Sequence, residues 1–271
     1  MSAAAVRRIL ARNPGPFTLD GTNTWIVGED PCLVIDPGPA DPDHVGRVAR
    51  EAGRVQAILL THHHPDHAPG AALLARQTGA LVLSLHPGVG EDAIDDGDSI
   101  QAGEVVLRAV ATPGHAPDHV AFHDPAGSGL FTGDAVLGRG TSVVDPPEGD
   151  LIEYLRSLET MIALAPSTLY PGHGPVVEDG VAKLNEYLAH RKLRERQVLN
   201  GLGDGPRSPQ ELVPAIYAEY PPELHPAAAR SVLAHLEKLV REGRVVRVEA
   251  PGGERFGLSP HAGSGHSPGM T

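Results

Sequence analysis

Residues 58–70 read ILLTHHHPDHAPG: an apolar run that stops at Thr61, then four histidines and an aspartate within six positions. The run QAILL (56–60) has the continuous apolar character of a strand buried on both faces. A strand ending in such a cluster puts it on the loop at the C-terminal edge of a sheet, where α/β proteins hold ligands. Imidazole nitrogens and carboxylate oxygens suit zinc and related divalent ions. His62 and His64 are two apart, and Asp66 and His67 follow in a turn begun by Pro65. One ion cannot comfortably take all of these from so short a segment. Two neighbouring ions can.

The remaining ligands must then come from other strand ends, and three stretches offer them. ATPGHAPDH ends a strand and presents His115, LFTGDAVLG presents Asp134, and LYPGHGP presents His173. Glycine flanks each candidate, which lets the backbone turn tightly beside a metal.

Outward from these stretches, short apolar strands alternate with helical segments from residue 25 to about 200. WIVG and CLVID read as an early strand pair. DPDHVGRVAREAG has Asp41 as helix N-cap, Pro42 at the first helical position, and Val45, Val48, Ala49 and Ala52 on one face. LVLSL, EVVLRAVAT, HVAFHD, GLFTGD and STLYPG read as further strands. GAALLARQTG, LIEYLRSLETMIAL and 178–200 read as helices. This alternation indicates an α/β domain over 1–200, with helices outside the sheets. NGLGDGPR then reads as a linker at 201–207. The following module, 208–258, opens with a capping box in SPQE, continues through a helix ending at Gly243, and closes with a hairpin tipped by Pro-Gly-Gly. The order helix, helix, helix, hairpin is that of a winged-helix module. The tail 259–271 lacks apolar content and is expected to be disordered.

A net charge of −12 with 4% aromatic residues argues against wholesale nucleic-acid coating. The N-terminal stretch has no apolar core of a secretory signal, and no run approaches the roughly 20 apolar residues of a membrane span. The expectation is a soluble, cytoplasmic protein with no membrane partner. The lone Cys32 sits within a strand and reads as a buried, inert thiol.

In order, THHHPDH, TPGHAPDH, FTGDAVLG and YPGHGP resemble the signature of the metallo-β-lactamase fold superfamily, whose first element is H-x-H-x-D-H. The resemblance covers about residues 17–200. It implies a four-layer αβ/βα sandwich with a dinuclear site between two sheets. Carried over by position, it implies that His62, His64 and His115 hold one ion, that Asp66, His67 and His173 hold the other, and that Asp134 bridges them. Two divalent ions are expected, zinc by default, with manganese or iron open to the same N/O donors. His63 is the odd one out, a structural residue or a solvent-facing spacer. His44, His86, His123 and His190 are not expected to be ligands. His119 is read either as lining the pocket or as a strand-start histidine with a local partner. Asp36 either orients a ligand from behind or simply forms a turn before Pro37. Thr141 and Ser142 either touch substrate or cap their loop.

Bound to a metal, water has its pKa lowered from 15.7 to about 7, so a hydroxide held between two ions is available at neutral pH. Hydrolysis is the expected chemistry, with Asp66 or Asp134 as proton acceptor. Only 38 residues separate Asp134 from His173, which leaves no room for the inserted domain of the large nuclease relatives. NPGPFTLDGTNTWIVG, GDAVLGRGTSVV, YPGHGPVV and HRKLRER, followed by the winged-helix module, are most similar to the β-lactamase-like protein two subfamily, over about residues 13–249. That subfamily resemblance implies endoribonuclease-type cleavage of single-stranded RNA. A thioesterase of the hydroxyacylglutathione hydrolase type, acting on a small ester or thioester, is the alternative. A non-catalytic, metal-stabilised nucleic-acid-binding protein is the reading from another class. Arg191, Lys192, Arg194 and Arg196 on the long helix either contact phosphates or complement the helix dipole. Arg244, Arg247 and Arg255 lie near the wing. The oligomeric state is not legible in the sequence.

Overall fold

The computed structural model describes residues 4–251 and 253–260. They form two compact units, one of 4–142 and 153–187, the other of the described residues in 143–152 and 188–260.

The first unit opens with β1 (Val6–Leu10), β2 (Asn23–Gly28) and β3 (Cys32–Ile35). It continues with α1 (Pro42–Ala52), β4 (Val55–Leu59), α2 (Ala71–Thr78), β5 (Leu81–Ser84) and β6 (Asp92–Ala93). These six strands make one sheet in sequence order, antiparallel from β1 to β3 and parallel from β3 to β6. β7 (Ser99–Ala102), β8 (Val105–Ala111), β9 (Val120–Asp124), β10 (Gly129–Gly133), α3 (Leu151–Ala163) and β11 (Thr168–Pro171) follow. Their strands form a second sheet in the order β11-β10-β9-β8-β7, with only β10 and β11 parallel.

Strand side chains alternate between the two faces, and both faces are covered over the inner strands, so β3, β4 and β5 are largely apolar. Leu33 and Ile35 of β3, and Ala57 and Leu59 of β4, join Leu107, Ala109, Phe122 and Phe131 in the core between the two sheets. Their neighbours Cys32, Val34 and Ile58 turn the other way, against Val45, Val48 and Leu74 of α1 and α2. Each fully buried aliphatic side chain contributes about 1.5–3 kcal/mol relative to leaving it exposed. Beyond the second sheet, Tyr154 and Ser157 of α3 donate to Ala135 O (2.6 Å) and Pro113 O (2.7 Å). The layers therefore run helices, sheet, sheet, helices, as expected. Cys32 is buried.

Three strands escaped the sequence reading for physical reasons. β1 carries two exposed arginines on an edge, β6 is two residues long with both exposed, and β7 is four residues long with alternate residues exposed.

α4 (Gly180–Gly201) runs from the first unit into the second. The second unit adds α5 (Pro209–Ile216), a 3-10 turn at Pro222–Leu224, α6 (His225–Arg241), and the hairpin β12 (Val245–Ala250) and β13 (Gly253–Leu258). The Ser208–Glu211 capping box is present at α5. Residues 201–207, expected as a linker, belong to the packed structure. Leu202 is buried with Val198, Leu212, Val232, Leu236 and Phe256, and Arg207 pairs with Phe256. Gly252 of the expected hairpin tip, and 261–271 of the expected tail, lie outside the described residues. Among the described residues, no helix is long and apolar enough to cross a membrane.

Candidate metal centre

Leu60 and Thr61 still bond to β5 and β9, and from His62 to His67 the chain leaves the sheet for a turn. His62, His64 and His115 bring three nitrogens within 4.8 Å of one another; Asp66, His67, Asp134 and His173 do the same with four donor atoms. His64 Nδ1 lies 3.1 Å from His115 Nε2, and His67 Nε2 lies 3.1 Å from His173 Nε2. Asp134 sits between the groups. Its Oδ1 is 3.4 Å from both His67 Nε2 and His173 Nε2, and its Oδ2 is 3.9 Å from His115 Nε2.

Hydrogen bonds behind the rings fix which nitrogens face inward. Asp36 accepts from Thr61 N (2.8 Å), from Thr61 Oγ1 (2.7 Å) and from His67 Nδ1 (2.8 Å). Thr61 Oγ1 has given its proton to Asp36, so it accepts from His62 Nδ1, 2.9 Å away. The lone pair of His62 is thereby left on Nε2, which is buried without a hydrogen-bond partner. His173 Nδ1 donates to Gly21 O (3.1 Å), which again leaves Nε2 to face the group. Ser142 Oγ donates to Asp134 O (2.5 Å) and faces His115 Nδ1 at 3.4 Å.

These orientations fit divalent cations. Inward lone pairs at 3.1 Å repel unless positive charge lies between them, and His62 Nε2 and Asp134 Oδ1 are buried without hydrogen bonds. The electrostatics of the cluster point the same way. Burial opposes charge on His67 and His173, yet the carboxylates outweigh it. Asp134 and Asp36 hold His67 well above the usual histidine range, and Asp134 and Asp66 raise His173 to about 9. Burial likewise opposes charge on Asp134, yet His67 and His173 hold it well below the usual carboxylate range. Burial, aided by the neighbouring His67, keeps His62 well below its ordinary value and so neutral, as a ligand must be.

Glycine makes room for these contacts. A Cβ at Gly172 would lie 2.6 Å from Asp134 Oδ1 and from His67 Cε1. Gly133 has φ +45°, and a Cβ there would lie 2.7 Å from His119 Nε2 and Thr61 Oγ1.

Other expected residues take different places. His119 is fully buried, with Nδ1 2.8 Å from Thr112 Oγ1 and Nε2 accepting from Asp134 N (3.2 Å). Both nitrogens are engaged, so it holds the Asp134 backbone and has no atom left for substrate. Ser142, 3% exposed and donating to the Asp134 carbonyl, is likewise a support. Thr141 is exposed on the same loop. Of the two readings of His63, the structural one holds, although the residue is exposed. It bridges Asp118 (2.5 Å) and Glu91 (2.8 Å), tying the loop after β4 to the segments before β9 and β6.

Sequence reasoning gave no role to Asn23 or Thr61. Asn23 Nδ2 donates to Pro171 O and Gly174 O (both 2.9 Å), stapling the His173 loop to β2. The only local signal was a polar Thr-Asn-Thr run opening an apolar strand.

In the second unit, the cations for which phosphate contact was one of two readings are largely engaged. Arg244 pairs with Glu195 (2.7 Å), Arg247 with Glu237 and Glu254, and Arg255 with Glu211 (2.7 Å). Arg191 is buried, Arg194 stacks 4.3 Å over Tyr217, and only Lys192 and Arg196 of that quartet are exposed.

The sequence matches the Metallo-beta-lactamase superfamily over residues 17–87 and 84–173, and these spans carry all seven donors. The chain belongs to the metallo-beta-lactamase superfamily. As a member of this superfamily it is a metal-dependent hydrolase. Residues 208–254 match the Beta-lactamase associated winged helix domain. Among its superfamily relatives, a Beta-lactamase-like protein 2 homolog from Drosophila melanogaster is 34% identical, covering 93% of each chain. Lactamase-like protein aptB from Emericella nidulans is 35% identical, covering 89% of this chain and 82% of the relative. The crystal structure of a Beta-lactamase domain protein from Burkholderia ambifaria shares the metallo-beta-lactamase fold, with a TM-score of 0.82 at 24% identity. It covers 94% of this chain and 91% of the other.

Proposed function

We propose that His62, His64 and His115 hold one divalent ion, that Asp66, His67 and His173 hold a second, and that Asp134 bridges them for phosphodiester cleavage of single-stranded RNA. The observation carrying this reading is Asp134, whose two oxygens face opposite histidine groups. Such a pair of ions, when bound, acidifies water and stabilises charge on attacked and leaving oxygens. Zinc is the ion of choice for the first group, whose three donors are all imidazole nitrogens; manganese and iron suit the carboxylate-bearing second group as well.

The chain's own residues do the positioning. Asp36 and Thr61 lock the ring planes of His67 and His62, Ser142 and His119 hold Asp134, and Gly21 fixes His173. Asp66 is 23% exposed against 13% for Asp134, so Asp66 is the carboxylate that accepts a proton and passes it to solvent.

A small ester or thioester substrate is the second reading, and charge favours it. The unit bearing the site carries 11 Lys and Arg against 22 Asp and Glu, an unfavourable field for a polyanion. The engaged arginines of the second unit weigh against a protein that only binds nucleic acid. Metal-loaded protein assayed on single-stranded RNA, bis(p-nitrophenyl) phosphate and S-lactoylglutathione separates these readings. RNA cleavage lost in His64→Ala supports the first, thioester turnover alone selects the second, and metal-dependent RNA binding without turnover rejects both.

A further inference from the structure

A second concavity, about 350 Å³ in volume, lies at the N-terminal end of α1, lined by Arg12, Arg47 and Arg50 with Asp41, Asp43 and His44. The volume suits a small molecule. The composition is unusual for its surroundings. Three of this unit's 11 basic residues gather at one pocket, although acidic residues outnumber basic ones there two to one. Asp41 is already used as helix cap, accepting from Asp43 N at 2.9 Å. Arg47 donates to Leu10 O through one terminal nitrogen, while its Nε is buried without an acceptor. The first turn of α1, an 11-residue helix, adds a positive dipole end.

His44 supplies an independent pointer to a ligand. It is 4% exposed, and its Nε2 lies 3.0 Å from Thr24 Oγ1. Thr24 gives its own proton to Asp36 O at 2.7 Å, so its oxygen must accept from His44 Nε2–H. That fixes the tautomer and leaves a lone pair on Nδ1. Nδ1 is buried and has no partner in the protein. Burial, reinforced by Arg47, lowers this histidine below its ordinary value and keeps it neutral. A buried acceptor of this kind is costly unless a donor meets it.

We propose that this pocket binds a small hydroxylated phosphate, of the sugar-phosphate or mononucleotide class. The phosphate lies against Arg12, Arg47, Arg50 and the first turn of α1, and a hydroxyl donates to His44 Nδ1. The inference does not depend on the identity of the hydrolysed substrate.

Calorimetric titration of ribose 5-phosphate and inorganic phosphate into the full-length, metal-loaded protein tests it, alongside a chelated sample and two variants. Saturable ribose 5-phosphate binding is expected to survive chelation, to weaken at least tenfold in Arg12→Ala/Arg50→Ala, and to exceed inorganic phosphate in affinity. His44→Phe should remove that preference. Arg12 and Arg50 are exposed, so the double variant is expected to keep its melting temperature. Should His44→Phe not fold, the arginine variant and the two-ligand comparison still decide. Binding that disappears on chelation would place the phosphate on the metals and overturn the proposal. So would absent binding, indifference to the arginine substitutions, or equal affinity for the two probes.

Discussion

Asp36 Oδ2 lies 2.8 Å from His67 Nδ1, and the carboxylate's remaining contacts are the backbone N and hydroxyl of Thr61. Asp36 itself sits at φ +49°, a left-handed conformation that a short polar side chain tolerates. One residue therefore orients His67 directly and His62 through Thr61. The sequence suggested either a turn former or a residue behind a ligand; the geometry sets Asp36 in a left-handed turn behind His67.

Asp36→Asn tests that coupling. The amide can present its oxygen to Thr61 N or to His67, but its NH₂ group cannot accept. Loss of such a partner behind a ligand lowers metal affinity about 10- to 100-fold. Competition with a chromophoric chelator should show that loss in a folded protein; unchanged affinity at both groups would reject the role.

Gly172→Ala probes the steric side of the site. The added carbon would lie 2.6 Å from Asp134 Oδ1 and His67 Cε1. Metal analysis should give close to one ion per chain in place of two, with hydrolytic activity lower by at least a hundredfold. Two tightly held ions in the variant would show that the loop yields without displacing its neighbours.

Ser142→Ala distinguishes support from substrate contact. Ser142 donates to the Asp134 carbonyl and meets His115 Nδ1, so its loss should loosen the ions several-fold and lower kcat at limiting metal. KM at saturating metal should stay constant. A raised KM with unaltered metal affinity would return Ser142 to the substrate side.

The chelated protein should lose stability as pH rises. His173 has a folded-state pKa of about 9 against 6.5 ordinarily, and His67 is raised as well. A group raised on folding contributes its full stabilisation below its unfolded value and loses it as pH passes the folded one. The melting temperature without metal should therefore fall between about pH 6.5 and 9.5. Metal affinity should rise over the same range, because protons and cations compete for the same nitrogens. A chelated protein equally stable at pH 6.5 and 9 contradicts the arrangement.

Several features were legible in the sequence because they are local. Burial on both faces made β4 read as a continuous apolar run, the capping residues marked α1 and α5, and the donors His62, His64, Asp66 and His67 share one short loop. His115, Asp134 and His173 announced themselves as strand-end residues beside glycine, and the structure brings them to that loop.

Only the tertiary structure decided the tautomers, the partners and the supports. Whether His119 and Ser142 face a substrate or hold Asp134 depends on contacts closed over 15 and 8 residues. The bond from His173 to Gly21 spans 152 positions, and the clasp of His63 on Asp118 spans 55. No periodicity or spacing rule encodes such pairings, because they arise when two sheets close on one core. By itself the sequence determined which side chains could hold metal. Packing determined which of their atoms face inward, since a ring's free lone pair is set by what hydrogen-bonds behind it.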